Sequence, residues 1–81
     1  NKIKFRHFLI DGKYHVFVGR ESKDNDELTF NFAKQNDFWF HARGYPGSHV
    51  ILRVENKKEP VPKNILKDAA SLAAYYSKAK T

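Results

Sequence analysis

Trp39, His41, Arg43, Ser48 and His49 crowd around a Tyr45-Pro46-Gly47-Ser48 turn. Residues of these types can stack on a base, neutralise a phosphate, ligate a metal or activate a nucleophile. The spacing separates these chemistries. His41 and His49 flank the turn and can approach across a hairpin, but a zinc site needs further ligands. No cysteine, HExxH run or matched acid pair supplies them. Ser48 beside His49 looks like a nucleophile beside its base, yet neighbours on a strand point to opposite faces, which is poor triad geometry. Gly44 and Gly47 are turn glycines with no phosphate-loop lysine after them, so nucleotide cleavage has no support. Catalysis, a resident metal and a cofactor are therefore not expected; base stacking and phosphate contact are.

The elements that must position these groups are legible from patterning. Lys2 to Gly19 reads as a hairpin turning at Asp11-Gly12, a dipeptide suited to the positive φ angles of a two-residue loop. With Ile10 paired to Lys13, Phe5, His7 and Leu9 share an apolar face with Tyr14, Val16 and Val18. The other face then carries Lys4, Arg6, Phe8, His15 and Phe17. His7 is expected to be a hydrogen-bonded packing residue rather than a ligand. Ser22, Asp24 or Asn25 can cap a short helix whose first turn holds Asp26 and Glu27 and whose stripe is Leu28, Phe32 and Ala33; Gln35-Asn36-Asp37 ends it. Those acids are expected to serve the helix, not a metal.

A second hairpin follows, with Phe38, Phe40, Ala42, Val50, Leu52 and Val54 on one face. Trp39, His41, Arg43, His49, Ile51 and Arg53 occupy the other, and Pro46-Gly47 fits a type II turn. Asn56 to Pro62 connects to a last helix, with Pro62 in its first turn. Ile65, Ala69, Leu72, Ala73 and Tyr76 recur there at helical spacing. The expected fold class is α+β: two hairpins forming a small antiparallel sheet, one short helix between them, and a C-terminal helix packed on the sheet.

Composition narrows the partners. The 81 residues suit one domain without cysteine staples, and the absence of cysteine fits a reducing, cytoplasmic setting. No apolar run approaches the roughly 20 residues of a membrane span. The lack of any methionine reads as a piece of a longer protein. The net charge of +6 is uneven, because the acids concentrate between Glu21 and Asp37 and leave the strands basic. A basic surface favours polyanions, nucleic acid before membrane. Trp39 with Phe8 or Phe17, beside Arg6, Arg43 and Arg53, can stack bases and neutralise phosphates. Such a sheet suits RNA, and no helix is polar and basic enough to read a DNA major groove. Two alternatives use the same face: a protein-interaction or adhesion module, and a DNA-binding module.

Three segments carry a family resemblance. Gly19-Arg20 with Asn25-Asp26-Glu27-Leu28-Thr29, then Asp37 through Leu52 with its Trp-Phe-His-Ala-Arg and Pro-Gly-Ser-His-Val blocks, then Asp68 through Ala79, together resemble the NFACT RNA-binding domain of the fibronectin-binding protein A-like, ribosome quality-control proteins. The resemblance spans nearly the whole chain. It implies a non-catalytic module that binds tRNA and large-subunit rRNA, within a parent that engages obstructed large ribosomal subunits and recruits aminoacyl-tRNA for C-terminal tailing. The other domains of that parent are then partners too. By the same likeness Arg20, His41, Arg43, Ser48 and His49 match the family's motif as RNA-contacting candidates, with Trp39 and Lys78 in support. Glu21 departs from the family pattern after Gly-Arg. The family continues past the position of Thr81 into further strands, so residues 1–81 are read as a single domain lacking them.

Overall fold

The computed structural model describes residues 5–41, 47–56 and 58–79. Strands β1 (Arg6–Ile10) and β2 (Tyr14–Val18) precede helix α1 (Ser22–Glu27), which runs on into a π-helical turn, Leu28–Phe32. Strands β3 (Phe38–His41) and β4 (His49–Leu52) and helix α2 (Lys63–Ala79) complete the chain. The sheet is antiparallel in the order β1-β2-β4-β3, so the second strand of each hairpin is central. This is the α+β arrangement expected from the sequence.

The first turn has the expected chemistry and a different register. Asp11 and Gly12 both take positive φ, 57° and 64°, and the Lys13 N–H donates to the Ile10 carbonyl at 3.1 Å. Lys13 is nevertheless left unpaired, and Ile10 faces Tyr14. A slip of one residue turns every side chain of a strand over. Phe8 and Ile10, not His7 and Leu9, therefore join Tyr14, Val16 and Val18. The observed register seats two of the three apolar residues of β1, Phe8 and Ile10, on the core and frees Lys13 to pair with Glu59 at 2.8 Å.

Each face of the sheet has its own cover. Val16, Val18, Val50 and Leu52 pack on Ile65, Ala69 and Ala73 of α2, whose alanines allow a close approach. Pro62 stands just before α2, and its carbonyl accepts from the N–H groups of Ile65 and Leu66. On the opposite face Phe17 and Ile51 pack on Leu28, with Phe5, Phe32 and Ala33 around them. The helix at this face starts otherwise than its composition suggests. Glu21 occupies the N-cap without a side-chain bond, and Asp24 and Asn25 are buried within the helix. The π turn is closed by the Ala33 N–H donating to the Leu28 carbonyl at 2.8 Å.

Arg53, expected from the sequence at the nucleic-acid face, is instead an internal tie. Its Nε donates to Asp37 Oδ2 at 3.0 Å and its Nη2 to the Phe32 carbonyl at 3.1 Å. Its guanidinium lies 4.6 Å from the Phe32 ring centroid. Asp37 also accepts the N–H groups of Lys34 and Val54, which joins the end of the π turn to the start of β3 and the exit of β4. The side chains are 15% and 1% exposed. Replacing Arg53 with Met should leave a buried carboxylate without its cation and cost about 3–5 kcal/mol. Urea unfolding checks this; a loss below about 1 kcal/mol would refute the structural role.

Candidate nucleic-acid interface

Trp39, His41 and His49 come together because β3 and β4 keep the register that their alternation predicts. Trp39 faces Ile51 and His41 faces His49 across the ladder, on the side of the sheet away from α2. The α1 and π-turn cover stops short of this corner, leaving Trp39 51% exposed and His41 exposed. The Trp39 and His41 rings are nearly parallel at 5.9 Å, and His49 stands edge-on to both at 5.3 and 5.0 Å. The result is an aromatic and imidazole corner open to solvent, with flat faces for stacking and ring nitrogens for hydrogen bonding.

The corner is anchored from beneath by α1. Asn25 Oδ1 accepts the His49 N–H at 3.0 Å while its Nδ2 donates to the Gly47 carbonyl at 2.9 Å. The Gly19 N–H donates to the His49 carbonyl at 2.9 Å. A Cβ on Gly19 would collide with Asn25 Oδ1, so the clamp requires glycine there. Gly47 is constrained likewise, since its Cβ would strike the Ser77 side chain and lie 2.6 Å from Ser77 Cα on α2. Thr29, in the π turn, reaches the ring itself, with Oγ1 2.8 Å from His49 Nδ1.

The remaining sequence candidates scatter. Arg20 follows Gly19 at the same end of the sheet, and its Nε and N–H both donate to Asp24 Oδ2, at 2.8 and 3.3 Å, with half of its side chain exposed. Ser48, an RNA-contact candidate, is instead 1% exposed, its Oγ without a hydrogen-bond partner. It alternates with His49 and so turns inward from the corner. Arg6 lies on the α2 face, its guanidinium 4.8 Å from the Tyr76 ring centroid, and so is separated from Trp39 by the sheet. Phe8 shares that face, and Phe17 is buried, so neither offers a stacking surface. Lys78 belongs to α2. Arg43 lies outside the described residues, as do Ala42 and the Tyr45-Pro46 half of the second turn.

Two features escaped the sequence reading. Asn25 was obscured by its neighbours, because an Asn among Asp residues before a helical stripe reads as a cap. The other is at the far edge of the same face, where His7 Nε2 and His15 Nδ1 are hydrogen-bonded at 2.8 Å and His7 stacks on Phe17 at 4.6 Å. His7 is thus hydrogen-bonded, as expected, but exposed and not in the α2 core. Among the described residues no group of three or more His, Cys, Asp or Glu could hold a metal ion, and no helix is long and apolar enough to cross a membrane.

Fold and site together define a small α+β domain that keeps one corner of its sheet open for stacking. Residues 4–81 match the NFACT protein RNA binding domain, and the chain belongs to that family. It is 45% identical to the Rqc2 homolog RqcH of Streptococcus suis over 93% of the chain, and 42% identical to that of Bacillus subtilis over 80%. The ribosome quality control complex subunit 2 of Schizosaccharomyces pombe is 33% identical over 94% of the chain. The chain covers only 13%, 11% and 7% of these proteins. A solved structure, the C-terminal part of the fibronectin/fibrinogen-binding protein of Streptococcus suis, superposes with a TM-score of 0.78 at 43% identity. That match covers 98% of this chain and 30% of the other.

Burial first, and the neighbouring His41 second, disfavour the imidazolium form of His49 against a weaker pull from Asp26, so its pKa lies below 6.5. A base with a depressed folded pKa binds its proton more readily when the chain is unfolded. Its contribution is complete above pH 6.5, the unfolded value, and is lost as pH falls through the lower folded value. An NMR titration should show His49 titrating below pH 6.5, moving upward in His41→Gln. An unmoved His49 midpoint in that variant would disprove the coupling.

Proposed function

We propose that the chain is the RNA-binding module of a ribosome quality-control factor, that it is non-catalytic, and that it meets tRNA and large-subunit rRNA through the Trp39, His41 and His49 corner. Membership of the NFACT RNA-binding family and the names of the full-length relatives support the assignment. The observation that carries it to particular residues is the half-exposed Trp39, set among imidazoles on a chain of net charge +6. Indole supplies a sequence-tolerant stacking platform, and the net positive charge of the chain supplies phosphate attraction. In the parent protein, the module's part is to hold aminoacyl-tRNA against an obstructed large subunit while a stalled chain is tailed. We read it accordingly as a cytoplasmic module. A second reading, in which the corner meets a protein, is favoured by the name of the streptococcal structural neighbour.

Trp39 is the chain's single tryptophan, so indole fluorescence, excited selectively over tyrosine, reports this corner alone. Total tRNA should quench it with an affinity that falls steeply between 50 and 200 mM salt, the range over which counterion release is felt. Trp39→Ala, followed by filter binding, should weaken the complex by about one to two orders of magnitude, the worth of one stacked base. Binding that ignores salt, survives nuclease and captures fibronectin would replace the RNA reading with the protein one.

A further inference from the structure

His49 is fixed more tightly than stacking requires. Its N–H and carbonyl are taken by Asn25 and Gly19, and its Nδ1 is taken by Thr29. The Nε2 atom makes no hydrogen bond among the described residues. The His49 side chain is half-buried and packs edge-on against the exposed Trp39 and His41 rings. One ring nitrogen is therefore held by Thr29, and the other has no partner among the described residues. The holding residue sits in the π turn, a local widening of the helix that often marks functional sites.

Which ring nitrogen carries hydrogen turns on the direction of the Thr29 bond. A threonine within a helix commonly donates to the carbonyl four residues back, which here is Asn25. No such bond forms, and His49 Nδ1 is the acceptor that Thr29 Oγ1 has among the described residues. A hydroxyl that donates to Nδ1 leaves the ring proton on Nε2, which is also the tautomer an isolated histidine prefers. We infer that Thr29 is a positioning residue for the RNA site: it holds His49 in the Nε2–H tautomer, so that a neutral N–H donor is presented beside Trp39 to an acceptor on RNA, a phosphate oxygen or a 2′-hydroxyl.

The inference rests on the RNA-binding reading and sharpens it, since it makes His49 a directional donor rather than a cation. The charged and titratable groups that bear on the ring agree with this. Burial weighs most against a positive charge on the ring, His41 on β3 adds to it, and Asp26 on α1 pulls weakly the other way. A ring that stays neutral keeps Thr29 as the donor to Nδ1, whereas an imidazolium, both its nitrogens being donors, would reverse that bond and make the hydroxyl the acceptor.

Nitrogen-15 chemical shifts of the free chain read the tautomer directly, and total tRNA is the binding probe. The wild-type chain should show His49 as Nε2–H at pH 7.5. Thr29→Val, which keeps the shape and removes the hydroxyl, should mix the tautomers and weaken tRNA binding about three- to tenfold, the worth of one neutral hydrogen bond. Thr29→Ser should restore both, which a purely steric role for the side chain would not do. A wild-type His49 in the Nδ1–H form, or a folded Thr29→Val that binds tRNA as wild type does, would overturn the inference. Failure of the wild-type chain to bind tRNA would overturn the functional reading and the donor role with it, while the shifts still decide whether Thr29 sets the tautomer.

Discussion

The open corner of the sheet depends on one buried amide. Asn25 offers an acceptor and a donor to the backbone on either side of Ser48, as a neighbouring strand would, though it stands on a helix. The chain thereby re-enters the sheet at His49 in a fixed register, and the cross-strand contact of His49 with His41 follows from that register. Both amide groups of the side chain are used, and a half-satisfied buried amide costs more than an apolar replacement saves. The clamp also dictates its surroundings. Gly19 must lack a side chain to admit Asn25, and Gly47 must lack one to admit Ser77 from the other side of the sheet. Two glycines and a serine on three separate elements are thus consequences of one side chain's hydrogen bonding and the close approach of α2.

The two covers of the sheet are unequal, and the inequality makes the site. Helix α2 is long enough to seal its face, with an alanine stripe that brings it close to the valines of β2 and β4. The cover opposite is α1 with its π turn, whose apolar side chains pack on Phe17 and Ile51 and whose polar ones stop at His49. Its far end is secured by Arg53 and Asp37, a buried ion pair reinforced by two backbone N–H groups and one carbonyl. A cover tied at both ends cannot slide over Trp39, so the tryptophan stays exposed by the lengths of the elements.

Legibility in the sequence followed the range of the forces involved. The strands of the second hairpin could be read, because the period-two pattern leaves one register that puts Phe40, Val50 and Leu52 on the core face. The C-terminal helix was legible for the same reason, through Ile65, Ala69 and Ala73. The first hairpin was not, because Asp11-Gly12 announces the turn but not whether Lys13 belongs to the strand. That choice depends on Glu59 and on the face of α2, both distant in sequence. Charge was the least legible property. An arginine on the polar side of a strand reads as a surface cation, and only the fold brings Asp37 to Arg53 and the Tyr76 ring to Arg6.

This redistribution of charge changes what the corner does. Of the cations the sequence offered for it, Arg53 is spent inside the protein, Arg6 faces the other way and Arg20 is partly compensated by Asp24. Among the described residues the corner is left with an indole and two imidazoles, one of them biased toward neutrality. Attraction to a polyanion then comes from the net charge of the whole chain, acts at long range and is screened by salt. On the proposed RNA reading, orientation comes from the corner, where stacking and a directional N–H act over a few ångströms and are little affected by salt. Affinity and orientation would then reside in different residues. A stacked base would sit where Trp39 and a hydrogen bond to His49 agree, because a freely rotating cation there would attract phosphate without choosing among its positions.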